Sequence, residues 1–525
     1  MFSKRKIDYF IFFLIILGAL NSLLITIHNI AIESDTADTI TLWSGFQQYG
    51  WEFLKSYRYT IDSWIFSLVP IHFLLFYIFG PSPHIVIVGG WVIYIFILIF
   101  LNLCAKEAGV NLRARLLSIM FLSYANVGTL WYCGYLTYSI SHNISILFFI
   151  ISYYIVLKSK SNLSLLSYFL LNLLAAISDP WLSFAFILPA FVSCFITFCV
   201  RKERYFYKIS IISLLIFIIN VISVKSNVFG LLPFIVGAQP TELNLEIISS
   251  KIHFITRTFG FFFQFLPEKL IAKESQDGLI LGFWLVIFIY SVLNFIRNLK
   301  LKSSKEISTF FMIVLSVLSL LSAQVLFAEV TQDFSGRYII TIFLLTPFII
   351  SMGLKDRISV DLKFFYFLFM FFYLFTTIST SHHFWKKDGY VSDRTDDVSK
   401  LLRSENLTFG YGLYWDSEAP AVSWINNGTL IVRSVLFNND RKMLTRDVGW
   451  QTNALWYDKK DIVNQPNRQF LILKNKGYAD PCGDDKVQGC GKELTSQFGK
   501  PEKVVRNSEY TLFIWNKPLS DNFID

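Results

Sequence analysis

Long apolar blocks separated by short polar segments fill residues 1–380 of the chain. Each block is about as long as the ~20-residue helix that crosses a hydrocarbon core. We therefore expect a polytopic α-helical membrane domain with about eleven transmembrane helices. The predicted spans are 7–27, 84–104, 116–133, 142–157, 163–178, 181–200, 209–225, 278–296, 308–328, 338–354 and 364–380.

The first apolar block follows a basic N-terminus and has the charge pattern of a signal peptide. It lacks a small-residue cleavage site before the acidic stretch that follows, so we expect a retained signal-anchor with a cytoplasmic N-terminus. The segment at 28–83 then decides the topology of the rest of the chain. Its apolar stretch at 64–79 is short for a span and is interrupted by Pro70, which favours an interfacial helix.

Basic residues cluster in five loops, and with an interfacial helix at 64–79 all five lie on the same side. Lys and Arg are retained on the cytoplasmic side, so this agreement predicts an inner (plasma) membrane protein with its C-terminus in the periplasm. The loops contain Lys106/Arg113/Arg115, Lys158/Lys160, Arg201/Lys202/Arg204/Lys208, Arg297/Lys300/Lys302/Lys305 and Lys355/Arg357/Lys363.

Composition agrees with this pattern. Of the 525 residues, 54% are hydrophobic and only 16% are charged, whereas a soluble domain carries about a quarter charged residues. The net charge of +9 comes from the basic loops, which membrane topology explains better than nucleic-acid binding does. We expect membrane lipids, and no nucleic acid, among the partners.

Charged residues, Asn, Gly and Trp become more frequent after residue 380, and no further span follows. Short alternating runs at 429–436, 469–473 and 510–515 predict strands. We therefore expect an extracytoplasmic α/β or α+β domain at 381–525. In it, Cys482 and Cys490 bracket a polar loop without His or a CxxC pair, which favours a short disulfide over a metal site.

Three acidic residues, Glu33, Asp35 and Asp38, follow the first span on the outer side. Carboxylates at a membrane interface either act as a general base toward an acceptor hydroxyl or hold a divalent cation beside a phosphate. A solvated acidic loop explains them equally well. Asp35 and Asp38 are the catalytic candidates, and the choice between them and the need for Mg or Mn stay open.

Arg337, followed by Tyr338, lies where a short outer loop leads into the next span. A guanidinium there either grips a phosphate or anchors the helix by snorkelling. An Arg at an outer boundary runs against the positive-inside bias, which favours phosphate binding. In the outer loop at 226–277, Arg257 and Lys269 suit a diphosphate or anionic headgroups, and so does Lys273. A plain interfacial helix explains these three residues equally well.

Two further outer span ends carry polar candidates. Asp179 precedes Pro180 and Trp181 in a turn, and His142 begins another span. A structural role is favoured for both. The adjacent His382 and His383 point apart, which argues against a metal pair.

The order of these features resembles the GT-C glycosyltransferases, such as protein O-mannosyltransferases and the lipid A aminoarabinose transferase. An acidic outer loop, an interfacial helix ending at Gly80-Pro81 and the Gly336-Arg337-Tyr338 segment before a span carry the resemblance. It implies that a carboxylate at Asp35 serves as base or metal ligand. It also implies that Arg337 contacts a donor phosphate and that the C-terminal domain helps to bind an acceptor.

The usual Asp-Glu pair is absent, since Thr36 follows Asp35, so Asp38 is an alternative counterpart. With no nucleotide-binding signature and candidates on the outer side, the resemblance implies a polyprenyl-phosphate sugar donor. The acceptor is a lipid, a glycan such as lipopolysaccharide, or a protein. An O-antigen polymerase or ligase, a transporter and a non-catalytic scaffold are the rival functions. A transporter is disfavoured because the spans are largely free of charge.

Overall fold

The computed structural model describes residues 4–60, 62–226, 244–264, 273–327, 333–353, 373–378, 392–438, 440, 442–445, 451–457, 465–477 and 481–523. The chain is mostly helical and ends in a sheet-containing region. The helices before this region are α1 (Lys4–Asn29), α2 (Ser34–Tyr49), α3 (Trp51–Ser56), α4 (Leu68–Phe79), α5 (Pro83–Glu107), α6 (Leu112–Ser123), α7 (Asn143–Lys158), α8 (Asn162–Ser178), α9 (Leu188–Arg201), α10 (Arg204–Ser226), α11 (Leu245–Phe262), α12 (Lys273–Arg297), α13 (Ser304–Phe327) and α14 (Thr341–Gly353). Short π-helical turns span Gly128–Tyr132 and Ser183–Ile187, and 3-10 turns span Leu299–Leu301 and Asp333–Tyr338.

Within the described residues, six helices are long and apolar enough to cross a membrane: Arg5–Asn29, Pro83–Glu107, Ser183–Arg201, Arg204–Ser223, Ser275–Arg297 and Ser304–Leu326. Their outer surfaces leave large apolar side chains uncovered, such as Phe10 on α1 and Val286 on α12. Extended apolar surface of this kind is avoided by soluble proteins and matches contact with lipid. The chain thus has the character of a membrane protein.

The other predicted spans form shorter or interrupted helices. The helices α7, α8 and α14 match predicted blocks but have at most 17 residues. The block at 116–133 breaks after α6, because the Asn126 side chain accepts hydrogen bonds from the Thr129 amide and hydroxyl and caps a new turn. Most of the block at 364–380 lies outside the described residues. The count of about eleven spans therefore stays a prediction.

The apolar stretch at 64–79 forms the short helix α4. Its 12 residues reach about 18 Å, which is less than the thickness of a hydrocarbon core. Pro70 lies in its first turn, where a missing N–H costs no helical hydrogen bond. The helix packs on α2, where the Trp43 ring meets Phe73 edge-on, and Thr39 bonds His72 at 2.9 Å.

Basic loops meet at one end of the helical region. Lys160 pairs with Glu203 at 2.7 Å, and Lys305 pairs with Glu107 at 2.6 Å. Arg201 also donates to backbone carbonyls of the 299–302 turn. We call this the basic end. Helix α1 starts beside the basic end, where Asp8 forms an ion pair with Arg113. Because α1 has 26 residues, the residues that follow it lie about 39 Å from the basic end.

The C-terminal region is an α/β domain. Its helices are α15 (Asp393–Ser404), α16 (Ala419–Ile425) and α17 (Lys486–Phe498), and its strands are β1 (Phe409–Gly412), β2 (Ile431–Ser434), β3 (Leu436–Asn438), β4 (Met443–Thr445), β5 (Gln469–Lys474), β6 (Lys503–Arg506) and β7 (Tyr510–Trp515). The main sheet has the order β2-β1-β5-β7-β6; β2, β1 and β5 are parallel, and β7 is antiparallel to both neighbours. The predicted strands are confirmed, with the first one divided into β2 and β3.

Both faces of this sheet are covered by helices. On β5, Phe470 and Ile472 pack with α15 and α16, whereas Leu471 and Leu473 pack with α17 on the opposite face. Successive side chains of a strand alternate between faces, so an unbroken apolar run fits a strand buried on both sides. The domain therefore has apolar clusters of its own on both faces of the sheet, while Ala421 of α16 packs into the core of the helical region.

A disulfide joins Cys482 to Cys490 at the start of α17. Gly489 makes this approach feasible, because a Cβ there would stand 1.6 Å from the Cys482 carbonyl oxygen. The bond ties the loop after β5 to a helix of the sheet domain.

Candidate functional site

The acidic residues predicted from the sequence lie at the start of α2, at the end of α1 remote from the basic loops. Glu33 precedes the helix in an extended conformation, and its amide donates to the Thr36 hydroxyl at 2.8 Å. Asp35 lies in the first turn, where the helix dipole favours a carboxylate. Asp38 follows three residues later and so lies on the same side of the helix. We call this region the acidic end.

Asp38 is held in the protein interior. Its side chain is 6% exposed, and its Oδ1 accepts a 2.6 Å hydrogen bond from the Tyr57 hydroxyl. Burial raises the pKa of Asp38 from 3.8 to about 7, although the Tyr57 bond acts in the opposite direction. Tyr57 is itself fixed by a bridge to Asn453 of the C-terminal domain.

Asp35 is half-buried and oriented by the C-terminal domain. Its Oδ1 accepts a 2.8 Å hydrogen bond from the indole Nε1 of Trp415. Burial raises the pKa of Asp35, while Arg337 and the Trp415 bond oppose that rise. The charge of Arg337 therefore acts on Asp35, although the two residues lie far apart in the sequence.

Arg337 ends the 3-10 turn Asp333–Tyr338 and lies against two aromatic rings. Its guanidinium carbon stands 5.2 Å from the centre of the Tyr338 ring and 5.9 Å from that of Tyr135. Burial opposes its charge, but Tyr338, Asp62 and Asp35 outweigh that effect and raise the pKa of Arg337. The cation thus stands over aromatic rings, donates a hydrogen bond to the Tyr338 hydroxyl at 3.2 Å, and is favoured electrostatically by Asp62 and Asp35.

Asp62 is a member of this group that the sequence analysis missed. It influences Asp35, Asp38 and Arg337 electrostatically, and its side chain is half-buried. The signal for it was an isolated acidic residue just before the apolar stretch at 64–79. The polar part of the 28–83 segment offered several such residues, so sequence alone did not single it out.

Glu33 lies where the helical region meets the C-terminal domain. Its Oε1 accepts a 2.7 Å hydrogen bond from the Tyr138 hydroxyl. Burial, Asp35 and Glu418 raise the pKa of Glu33 from 4.5 to about 7, against the effects of Tyr138 and Arg394. The surroundings of Glu33 thus favour its neutral, protonated form.

His142 and Asp179, for which a structural role was favoured, form a buried pair behind Arg337. Their Nδ1 and Oδ2 atoms are 2.9 Å apart, and both side chains are at most 3% exposed. The His142 ring stacks on Trp181 with a centroid distance of 4.4 Å, and the Trp181 indole donates to the Tyr338 carbonyl at 3.2 Å. The pair thus supports the backbone beside Arg337.

The remaining cationic candidates lie elsewhere or outside the described residues. Arg257 and Lys273 both stand over the Phe261 ring, at 5.8 and 4.7 Å. Their neighbourhood still reaches the turn of Arg337, because Thr258 of α11 packs beside Gly336. Lys269, His382 and His383 lie outside the described residues.

The carboxylates do not form a metal site in this arrangement. Among the described residues, no group of three or more His, Cys, Asp or Glu side chains is placed to hold a metal ion. Oxygen atoms of Asp35 and Asp38 are taken by Trp415 and Tyr57, and Arg337 already supplies positive charge beside Asp35. The described residues therefore offer no cage of protein ligands for a divalent cation, and no step below depends on one.

Asp35, Asp62 and Arg337, together with Trp415, therefore form one half-buried polar centre at the acidic end of an apolar helical region. It combines an oriented carboxylate with a stacked guanidinium, a pairing suited to proton transfer beside a phosphate. No protein-family model matches the chain, and no curated protein matches it in sequence, so the geometry of this centre carries the functional conclusion.

Proposed function

We propose that this protein is a GT-C-type membrane glycosyltransferase. It moves a sugar from a polyprenyl-phosphate donor to a cell-envelope acceptor. The observation that carries the proposal is that half-buried Asp35, oriented by the Trp415 indole, lies within the electrostatic influence of Arg337, whose guanidinium stands over the Tyr338 ring. Both lie at an end of the apolar helices, where the phosphate of a membrane-embedded carrier is at headgroup level.

Arg337 binds the donor phosphate in this mechanism. A planar guanidinium offers parallel N–H donors that match two phosphate oxygens, and stacking on Tyr338 and Tyr135 fixes its plane before the donor arrives. As the bond between the sugar and the phosphate breaks, negative charge grows on the leaving phosphate. Arg337 stabilises that charge, which lowers the barrier to departure.

Asp35 is the base in this proposal, rather than Asp38. Asp38 is 6% exposed and accepts a hydrogen bond from Tyr57, so an acceptor cannot easily reach it. Asp35 is half-buried, and the hydrogen bond from Trp415 orients its carboxylate. Burial raises the pKa of Asp35, which makes its carboxylate a stronger base. Asp35 takes the acceptor proton, and the acceptor oxygen bonds to the anomeric carbon. The bond to phosphate breaks with its electron pair, so polyprenyl phosphate leaves and the configuration inverts.

The proposal also includes the topology that this chemistry requires. About eleven spans would cross the inner membrane, with the basic end in the cytoplasm and the acidic end and C-terminal domain in the periplasm. The mutual contacts of the basic loops support this orientation. Donors available on the periplasmic side are lipid-linked rather than nucleotide-linked.

Mass spectrometry of envelope glycans and glycolipids tests the function. The strains are the wild type, a deletion, and the deletion complemented with wild type, Asp35→Asn or Glu52→Gln at matched protein level. Glu52 is the control, because it is a carboxylate of the same 28–83 segment but is 72% exposed and pairs with Lys55.

We expect one sugar to disappear in the deletion, to stay absent with Asp35→Asn and to return with Glu52→Gln. The lost mass then names the sugar. Restoration of the wild-type profile by Asp35→Asn would reject the transferase and favour a scaffold. Loss of polymer length without loss of a sugar would instead indicate a polymerase or ligase.

A further inference from the structure

The loop between β1 and α16, at 413–418, lies at the carboxyl end of β1. Its conformation is fixed from within the domain: the Leu413 amide donates to the Ser417 hydroxyl at 3.2 Å, and that hydroxyl donates to the Ile472 carbonyl of β5 at 2.8 Å. The loop is therefore anchored to two neighbouring parallel strands.

This position is a topological switch point of the sheet. The connection after β1 runs through α16 on one face, whereas the connection after β5 runs through α17 on the other face. In open α/β sheets, the carboxyl ends of strands at such a point form the usual ligand-binding crevice. Here that edge is turned toward α2 of the helical region.

Three residues of the loop contact the first turn of α2. The Trp415 indole donates to Asp35, and the Tyr414 hydroxyl donates to the Ser34 carbonyl at 2.8 Å. Glu418 accepts from the Ser34 amide at 2.9 Å and lies 3.1 Å from the Ser34 hydroxyl. The loop thus caps the helix terminus from which Asp35 projects.

Glu418 combines a buried carboxylate with an unfavourable backbone conformation, and the contacts with Ser34 and Arg394 offset both. Its side chain is 2% exposed, and its backbone adopts φ of 50°, the left-handed region that a residue with a Cβ avoids. Arg394 of α15 pairs with it at 3.1 Å. A buried carboxylate needs such partners, so the pair and the Ser34 amide together keep Glu418 at the interface.

We infer that the C-terminal domain completes the active centre, with Trp415 and Glu418 as positioning residues for Asp35. Trp415 aligns the carboxylate, and Glu418 fixes the helix turn that carries it. The inference rests on the proposed function, because it assigns the same base. It goes beyond that proposal in making the periplasmic domain a part of the catalytic machinery.

The ionisation of Asp35 depends on charged and titratable side chains from all the elements that surround it. The groups that couple to it are Glu33, Asp38, Asp62, Arg337, Glu418, Tyr57, Tyr135, Tyr138 and Tyr414. The Trp415 hydrogen bond favours the charged carboxylate, so its removal raises the pKa of Asp35 further. The acidic limb of the rate profile then moves to higher pH.

Isolated membranes, with their endogenous donor and acceptor, provide the assay. The initial rate of product formation is followed by mass spectrometry between pH 5.5 and 8.5 for full-length wild type, Asp35→Asn, Trp415→Phe and Trp424→Phe. Trp424 is the matched control, because it belongs to the same domain and packs against the apolar cluster of Ile40, Phe76 and Val86. We expect Trp415→Phe to lower the rate about tenfold at low pH, with recovery as the pH rises, and Trp424→Phe to resemble wild type.

Glu418→Ala and Glu418→Gln separate helix positioning from folding. The alanine removes the acceptor of the Ser34 amide, whereas the glutamine oxygen retains it, so Gln should restore activity and Ala should not. Hydrogen exchange of peptides covering 32–43 measures the same contact without activity, and peptides covering β5 and β7 report whether the domain is folded. We expect faster exchange at 32–43 in Glu418→Ala alone.

The two proposals fail in different variants. If Asp35→Asn is inactive while Trp415→Phe and Glu418→Ala keep the wild-type rate, pH profile and exchange, the inference is wrong and the transferase stands. If Asp35→Asn retains full activity, the transferase assignment is wrong, and the catalytic role inferred for the C-terminal domain is wrong with it.

Discussion

The two ends of the helical region treat carboxylates in opposite ways. At the basic end, Glu203 pairs with Lys160, and although burial opposes it, the bonds from Lys160 and Ser304 lower the pKa of Glu203. At the acidic end, burial raises the pKa of Glu33, Asp35 and Asp38. In an exposed ion pair, a neighbouring cation favours the charged acid and lowers its pKa. At functional sites, burial and neighbouring like charges often raise the pKa of acids instead. The contrast is the reason why the proposed function places its active centre at the acidic end.

The largest effect is expected from neutralising Asp35, the proposed base at the acidic end. Asp35→Asn keeps the size of the side chain but cannot accept the acceptor proton, so the rate of product formation should fall at least about 100-fold. Initial rates in isolated membranes measure this change. Glu203→Gln at the basic end is the matched control, and an equal loss in that variant would erase the distinction between the two ends.

The buried pair beside Arg337 should dominate stability at the acidic end. His142→Phe retains an aromatic ring next to Trp181 but leaves Asp179 buried without its imidazole partner, at a cost of about 3 kcal/mol. Thermal unfolding of the purified protein in detergent reports the loss as a lower Tm. The double variant His142→Phe/Asp179→Leu should recover part of it, since no charge is then left unpaired. Absence of recovery would mean that the two residues act separately.

The raised pKa of Asp38 predicts that the protein loses stability as the pH increases. Between pH 3.8 and about 7 the folded protein keeps a proton that the unfolded chain has released. Stability therefore falls across this window and stays low above it. Asp38→Asn cannot ionise and still accepts from Tyr57, so it should stabilise the protein at pH 8 by on the order of 2 kcal/mol and have little effect at pH 4. Tm measurements of the wild type and Asp38→Asn at pH 8 and pH 4 show whether the substitution stabilises the protein at the higher pH.

The smallest effect is expected at the basic end. Lys160 and Glu203 are 50% and 37% exposed, so their ion pair contributes under about 1 kcal/mol and is weakened by salt. Lys160→Gln should shift Tm by a degree or two, less still in high salt. A large shift would indicate that this end is as tightly constrained as the other, which would weaken the comparison.

Local patterns predicted the elements better than they predicted the centre. Strands β5 and β7 were predicted from short alternating runs, and α4 was predicted from the length of its block and from Pro70. The block at 116–133 was wrong as a single helix, because the Asn126 side chain competes with helical hydrogen bonds. Hydropathy averages over a window and does not register one capping side chain.

Some residues of the candidate site could be predicted from local sequence patterns, and others could not. Asp35 and Arg337 stood out because each is charged at the boundary of an apolar block. Trp415 and Glu418 did not, since their importance comes from partners in a segment 380 and 384 residues away. Asp62 was missed among other polar residues of its segment.

The sequence by itself determined a membrane-embedded helical region, the basic clusters at one end, a C-terminal sheet domain and an acidic segment after the first helix. These features arise from the transfer of apolar side chains out of water and from strand or helix periodicity, which act over a few neighbouring residues. The tertiary structure alone decided that Trp415 orients Asp35 within the electrostatic influence of Arg337, that Asp38 is buried against Tyr57 and that the C-terminal domain contacts both Asp35 and Tyr57. Those contacts depend on how separate elements dock, and no spacing along the chain encodes that geometry.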